Sequence, residues 1–245
     1  MIMKKCALIT GASGGIGSEI ALRLAKDGFN IAACYCSDET GILELEKKLK
    51  QTDAEYRLYK ADVSDYEKIK KVFADAAEVF GGVSVLVNNA GIAQQKLFTD
   101  ITQDEFDRIT AVNFKGVFNC CQCAVPFMVR QKSGKIINIS SMWGICGASC
   151  ETVYSATKAA VIGLTKALAR ELAPSNIQVN CVAPGAIDTK MNNNLSDEEK
   201  AAFAAEIPMG RFGTAAEIAG VVSFLAGSGS DYVTAQVIAA DGGIT

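Results

Sequence analysis

Tyr154 and Lys158 stand four residues apart in Tyr154-Ser-Ala-Thr-Lys158, and Ser141 lies thirteen residues upstream, at the end of the apolar run Lys135-Ile-Ile-Asn-Ile-Ser-Ser141. From Ala156 to Leu172 the apolar residues recur at helical spacing, so the tyrosine and lysine at i and i+4 share one face of the first turns. That places an ammonium beside a phenol. A nearby cation favours phenolate, so the spacing predicts a tyrosine pKa lowered from about 10 toward the range useful for proton transfer at neutral pH. Such a pair suits passing a proton to or from a carbonyl oxygen, and a strand-end hydroxyl such as Ser141 suits holding the same oxygen by a hydrogen bond. A Tyr-x-x-x-Lys pair also arises by chance in many helices, so the elements that would have to position it decide its meaning.

The first of those elements is at the other end of the chain. Lys5 to Thr10 carries the apolar run Cys-Ala-Leu-Ile, followed by Gly11-Ala-Ser-Gly-Gly15-Ile-Gly17 and a helical pattern through Ile20, Leu22, Leu24 and Ala25. Strand, glycine turn and helix in this order aim free backbone N–H groups and the positive helix end at a phosphate. The spacing differs from Gly-x-Gly-x-x-Gly, and a turn serving chain reversal alone is the competing reading. Gly28 ends the helix, and Asn30 to Cys36 reads as a second strand. An Asp or Glu at the end of that strand would bind the adenosine ribose of NAD. Here Tyr35, Cys36 and Ser37 occupy the position, which leaves no carboxylate to repel a 2′-phosphate and favours NADP(H); Asp38 and Glu39 follow and would blunt the preference.

Further along, Glu44 to Gln51 reads as a charged helix, Glu55 to Ala61 as a third strand ending at Asp62-Val63, and Tyr66 to Phe80 as an amphipathic helix closed by Gly81-Gly82. Val83 to Val87 is a fourth strand running into Asn88-Asn89-Ala90-Gly91, and Thr102 to Val129 forms one or two helices around Asn113. A mid-helix asparagine is more often a surface residue than a catalytic one. Lys135 to Ile139 is the strand that delivers Ser141. The loop between Ser141 and Tyr154 carries the single tryptophan, Trp143, which either lines a pocket or packs in the core. Ile177 to Val182 is another strand, closed by Ala183-Pro184-Gly185-Ala-Ile187, and Asn192 to Pro208 reads as a polar helical flap. Ala215 to Leu225 is the last helix and Val237 to Ala239 the last strand. Short apolar strands alternating with helices predict an α/β, Rossmann-type doubly wound parallel sheet with helices on both faces, as one domain over residues 1–245. Each motif falls at a strand's carboxyl end, where such sheets bind ligands.

Composition narrows the function. With 245 residues, 49% of them hydrophobic, the chain can bury one large core. A net charge of −3 gives no basic footprint for nucleic acid, and the apolar runs are too short to span a bilayer, so a cytoplasmic protein is expected. The nine cysteines are scattered and mostly in apolar surroundings, as expected of reduced thiols, and no zinc-type spacing appears, so no metal is expected. The absence of histidine removes a Ser-His-Asp hydrolase.

Taken together, Thr10-Gly-Ala-Ser-Gly-Gly-Ile-Gly17, Asp62-Val63, Asn88-Asn-Ala-Gly91, Asn113, Ser141, Tyr154-x-x-x-Lys158 and Pro184-Gly185 resemble, in order and spacing, the motifs of the short-chain dehydrogenase/reductase family over nearly the whole chain. The resemblance implies that Tyr154 donates a proton to the carbonyl, Ser141 polarises it, Lys158 lowers the tyrosine pKa, and Asn113 holds a water that links Lys158 to solvent. It implies a dinucleotide site in which Gly11, Ser13, Gly14, Gly15, Ile16 and Gly17 hold the pyrophosphate. Cys36 and Ser37 would meet the adenosine ribose, with Asp62 and Val63 flanking the adenine and Asn89, Ala90 and Gly91 lining the ribose side. Tyr154 and Lys158 would hold the nicotinamide ribose, and Ile187, past Pro184 and Gly185, the carboxamide.

Within the family, Asn138-Ile-Ser-Ser141, Leu168-Ala-Arg-Glu-Leu172 and Pro208-Met-Gly-Arg-Phe-Gly213 are similar to 3-oxoacyl-[acyl-carrier-protein] reductases of fatty-acid synthesis. That resemblance implies NADPH, a carrier-bound carbonyl substrate and a homotetramer formed through the late helices and last strand. The loop Trp143-Gly-Ile-Cys-Gly-Ala-Ser-Cys-Glu151 also resembles reductases of a 5-aminopentanone group attached to a lysine of elongation factor P. A carboxylate at Glu151 would suit a cationic amino ketone; equally, a glutamate at a helix start is favoured by the helix dipole. A non-catalytic NAD(P)H-binding protein is a third reading, against which the intact Asn113, Ser141, Tyr154 and Lys158 set argues.

Overall fold

Four apolar residues and Thr10, bounded by Gly11, make the first strand, β1 (Cys6–Thr10), and every one of them is buried. The computed structural model of the chain describes residues 4–189 and 196–245. β1 is joined by β2 (Asn30–Tyr35), β3 (Tyr56–Lys60), β4 (Val85–Asn88), β5 (Gly134–Ile139), β6 (Ile177–Pro184) and β7 (Val237–Ala240). They form one sheet in the order β3-β2-β1-β4-β5-β6-β7, with each neighbouring pair parallel. The chain runs outward from β1 to β3 and then returns to the other side of β1, so the strand order reverses between β1 and β4. A crevice opens at the carboxyl ends of the strands at such a reversal.

The intervening helices are α1 (Gly15–Lys26), α2 (Glu39–Leu49), α3 (Tyr66–Phe80), α4 (Gln103–Thr110), α5 (Gly116–Gln131), α6 (Trp143–Cys146), α7 (Thr152–Leu172), α8 (Asp197–Glu206) and α9 (Ala215–Ala226). Alternate residues of β1 point to opposite faces of the sheet. Ala7 and Ile9 join a core with Ile20 of α1, Leu45 of α2 and Val222 of α9, whereas Cys6 and Leu8 join one with Phe73 of α3, Cys120 of α5 and Val161 of α7. In isolation a helix as short as α3 is marginal. Burying Ile69 and Phe73 contributes roughly 1.5–3 kcal/mol per side chain and decides that it forms. Asp65 caps it by accepting the Lys68 N–H, and Gly81 stops it with a φ of 76°. Among the described residues no helix is long and apolar enough to cross a membrane.

Several boundaries shift from the sequence expectations. α2 begins at Glu39 because Asp38 accepts the Gly41 N–H, which places Glu39 and Thr40 inside the helix. α7 begins at Thr152, so Tyr154 lies within its first turn. Within its described part the expected flap, Asn192 to Pro208, is helical over α8; positions 190–195 lie outside the described residues. Between α4 and α5 the chain makes a π-helical turn, Ala111–Lys115, with Asn113 at its centre.

Candidate functional site

β1 ends in Thr10, and its hydroxyl oxygen accepts the backbone N–H groups of both Asn89 and Ala90 at 3.0 Å, drawing the end of β4 onto the end of β1. Asn89 returns the contact: its amide donates to the carbonyls of Thr10 and Gly11, each at 3.1 Å. Sequence reasoning gave Thr10 no role of its own, although a threonine closing a strand before a glycine turn is a signal for one. The turn that follows is shaped by close approach. Gly11 has a φ of +64°, and a Cβ on Gly17 would fall 2.2 Å from the Gly11 carbonyl oxygen. At Gly14, in contrast, an added Cβ meets nothing within 4 Å. Gly14 precedes α1, which starts without a side-chain cap and without an acidic residue in its first turn. Uncapped N–H groups at the positive end of a helix fit a phosphate, and with the open space at Gly14 among the described residues they exceed what chain reversal alone requires.

The other expected contacts line the same edge of the sheet. Cys36 and Ser37 are exposed at the end of β2. Beyond β3, both oxygens of the Asp62 carboxylate are engaged, one by the Ser64 N–H and hydroxyl at 2.9 and 2.7 Å and the other by Arg108 at 2.8 Å. Burial acts to raise its pKa, but these hydrogen bonds prevail and hold it below the usual carboxylate range. The Val63 side chain is buried, with its methyl group filling the space that a Gly116 Cβ would need. The Val63 carbonyl accepts from the Asn119 amide at 2.9 Å, which leaves its backbone N–H to flank an adenine. Past β6, Gly185 donates its N–H to Ala240 at 3.0 Å, and the buried Ile187 makes a bridge to Gly213.

The titratable residues gather at the ends of β4 and β5. Lys158 is buried, and its ammonium donates to the Ile139 carbonyl at 2.9 Å and stands 5.6 Å from the centre of the Tyr154 ring. Burial pulls the Lys158 pKa down to about 8. Asn113 is fully buried, its amide oxygen accepting from Ile92 N–H at 2.8 Å and its amide nitrogen donating to the Ile92 carbonyl at 2.9 Å. A Cβ on Gly91 would lie 3.4 Å from both the Asn113 amide oxygen and the Lys158 nitrogen, so Asn113, Gly91 and Lys158 meet at one point. The structure thus turns an ordinary mid-helix asparagine into a buried clamp at a π turn, a feature often found at functional sites.

Tyr154 departs from the sequence expectation. Its pKa is pushed up to about 12, chiefly by burial of the phenol and further by the Glu151 carboxylate, while a hydrogen bond with Ser141 acts in the lowering direction. The Lys158 ammonium is committed to Ile139 and does not bring the phenol down. The pair does share one helix face as the spacing required, with Ser141 on the tyrosine oxygen. Ser141 also accepts the Trp143 N–H at 3.2 Å.

Trp143, in α6, is neither core nor open wall. Its ring stacks on Phe203 of α8 with centres 6.5 Å apart and planes within 3°, and Phe203 meets the edge of Phe212 at 5.6 Å. Phe203 carried no sequence signal, because its partner lies sixty residues away. Among the described residues, no hydrogen bond or ion pair holds the half-buried Glu151 carboxylate, and burial raises its pKa. A separate cavity of about 510 Å³ lies between α9 and the end of β7, lined by Arg211, Glu217, Ile218 and Ala239; it reaches Ile187 but none of Ser141, Tyr154 or Lys158. Cys36 and Cys146 are exposed free thiols, and Cys6, Cys34, Cys120, Cys121, Cys123 and Cys181 are buried ones.

Compared with known proteins, residues 11–245 match a family model described as enoyl-(acyl carrier protein) reductase. A 3-oxoacyl-[acyl-carrier-protein] reductase of Staphylococcus aureus is 44% identical over 244 residues, covering 100% of this chain and 99% of the relative. That of Thermotoga maritima is 42% identical, covering 98% and 97%. The crystal structure of levodione reductase superposes with a TM-score of 0.93 at 35% identity, covering 98% of this chain and 96% of that one.

Proposed function

The chain belongs to the short-chain dehydrogenase/reductase family and is an oxidoreductase of carbonyl and hydroxyl groups, and on that premise we propose that it reduces a 3-oxoacyl thioester on an acyl carrier protein with NADPH, as a cytoplasmic homotetramer. One observation carries the catalytic reading: the Tyr154 phenol, with Ser141 acting on it, stands on the same helix face as the buried Lys158, 5.6 Å from its ammonium. When bound, the nicotinamide supplies a hydride. Ser141 holds the substrate carbonyl oxygen by donating its hydroxyl hydrogen. Tyr154 donates its proton to that oxygen as negative charge develops there. A phenol titrating near about 12 is fully loaded for this step at neutral pH. Lys158, on the same helix face, would hold the nicotinamide ribose together with Tyr154. Asn113 fixes Gly91 and Ile92 against Lys158 and would hold the water that returns a proton. Gly11 to Gly17 and the start of α1 would hold the pyrophosphate, Cys36, Ser37, Asp62 and the Val63 backbone the adenosine half, and Asn89 to Gly91, Pro184, Gly185 and Ile187 the nicotinamide half.

A second substrate reading rests on Glu151. Its carboxylate acts on Tyr154 and is unpaired among the described residues. The Lys96 N–H donates to the Cys150 carbonyl at 2.7 Å, which ties this loop to the segment bearing Gln94, whose amide oxygen is buried without a partner among the described residues. Two unsatisfied acceptors on adjoining segments favour a donor-rich cation over an acyl chain, as in an aminopentanone group carried on a protein lysine. Consumption of NADPH with acetoacetyl-CoA and with a small amino ketone tests both readings. Turnover of the thioester supports the first. Turnover of the amino ketone alone, weakened selectively by Glu151→Gln, supports the second. Binding of NADPH with no turnover of either would refute both.

A further inference from the structure

The carboxyl ends of β2 and β3 hold a charged cluster that proton transfer does not use. Tyr35, last in β2, is in register with Lys60, last in β3. The Tyr35 hydroxyl donates to one oxygen of Glu39 at 3.0 Å, and the Lys60 ammonium holds the other. Both oxygens of that carboxylate are therefore occupied. Glu39 opens α2, which packs closely on the glycine turn, since a Cβ on Gly41 would lie 2.2 Å from the Ser13 carbonyl oxygen, and the turn's Ala12 N–H donates to the Cys34 carbonyl of β2 at 3.0 Å. The cluster thus sits beside the phosphate cradle, at the strand end where parallel sheets of this kind read the adenosine ribose.

A bare carboxylate at that position accepts ribose hydroxyls and repels a 2′-phosphate, whereas a bare ammonium attracts one. Here the two charges cancel. The pair is also exposed, with 61% of the Lys60 and 51% of the Glu39 side chain accessible. Exposed ion pairs are weakly held and exchange partners readily. We propose that Glu39, by holding Lys60 and Tyr35, weakens the preference for NADPH over NADH, and that the preference sharpens when Lys60 is released from the pair. A 2′-phosphate binds by drawing the Lys60 ammonium away from Glu39. The free Glu39 carboxylate opposes it.

This inference rests on the nicotinamide-cofactor reading, and calorimetric titration separates the two. NADPH and NADH are titrated into the wild type, Glu39→Gln and Lys60→Met, with 2′,5′-ADP and 5′-ADP as probes of the 2′-phosphate alone. Glu39→Gln is expected to tighten NADPH and 2′,5′-ADP about tenfold with little change for NADH or 5′-ADP. Lys60→Met, which leaves the Glu39 charge without its cation, is expected to weaken both 2′-phosphorylated ligands about tenfold or more. If the wild type binds a nicotinamide nucleotide and neither substitution moves the NADH-to-NADPH ratio by more than about twofold, the assignment of Glu39 is wrong while the cofactor reading stands. If the wild type binds neither nucleotide, the cofactor reading falls and this inference with it.

Discussion

The Lys158 ammonium lies 5.6 Å from the centre of the Tyr154 ring but donates to the Ile139 carbonyl at 2.9 Å, so the cation is anchored to the strand and not to the phenol. Burial lowers its pKa from 10.5 to about 8. A folded-state pKa below the unfolded one means that the unfolded chain binds more protons between those values, and stability rises with pH across that window. Below pH 8 the full cost of burying the charge is present, about 3 kcal/mol by the size of the shift. Lys158→Met removes that cost and the bond to Ile139 together, for a net gain of about 1–3 kcal/mol. The cofactor-free variant is therefore expected to melt several degrees above the wild type at pH 7. The difference should shrink as the pH is raised past 9. A variant that melts below the wild type at neutral pH would show that the buried charge is compensated.

The same two residues set the pH dependence of reduction. Tyr154 keeps its proton up to about 12, so the phenol does not limit the acid step near neutrality. Lys158 loses its charge near about 8, and the rate at limiting substrate should fall as pH rises through that value. Tyr154→Phe should lower kcat by about 10²- to 10⁴-fold at every pH, and Ser141→Ala by about 10²- to 10³-fold. A Tyr154→Phe enzyme retaining a tenth of wild-type turnover would remove the phenol from the acid role.

Much of this site was legible because its parts are local. The glycine turn, the Tyr154 and Lys158 spacing and the strand ends that carry Asp62, Asn89 and Pro184 are each read within a few residues, and alternation of strands with helices then fixes their common edge. What failed to show depends on distance in the chain or on burial. Asn113 looked like any helical asparagine because the π turn leaves the apolar periodicity almost intact, and only Ile92, twenty-one residues earlier, reveals the clamp. The pairing of Glu39 with Lys60 spans the same separation and depends on the register of β2 with β3. The rise in the Tyr154 pKa could not be read from spacing, since spacing reports the neighbouring charge and not the loss of water around the phenol.

Two glycines of the phosphate turn should respond oppositely to substitution. At Gly17 a Cβ would sit 2.2 Å from the Gly11 carbonyl oxygen and 2.6 Å from the Asn89 amide nitrogen, so Gly17→Ala must push apart the ends of β1 and β4. A loss of about 2 kcal/mol or more is expected, together with loss of nucleotide binding. Gly14 has open space at its Cβ and an extended backbone, φ −108°. Gly14→Ser should stay within about 0.5 kcal/mol of the wild type, because serine is at least as good a helix cap. Thermal melts with and without nucleotide compare the two directly, and equal losses would contradict the cradle geometry.

The aromatic contact between α6 and α8 can be followed through the chain's single tryptophan. Trp143 reaches Ser141 through its backbone N–H and reaches α8 through its ring, which stacks on Phe203; Phe203 in turn meets Phe212, next to the Gly213 bridge to Ile187. The three rings thus join the Ser141 side of the site to the Ile187 side. An aromatic pair contributes about 0.5–1.5 kcal/mol beyond its buried area, enough to shift a docking equilibrium by roughly 2- to 12-fold. Phe203→Ala should therefore red-shift the Trp143 emission as water reaches the indole, and raise KM for the carbonyl substrate by a similar factor with kcat little changed. Trp143→Ala should raise KM to the same extent, and the double variant should add little to either, because all three lose one contact. Unchanged emission in Phe203→Ala would mean that α8 does not cover Trp143 in solution, and additive effects on KM would mean that the two rings act on substrate separately.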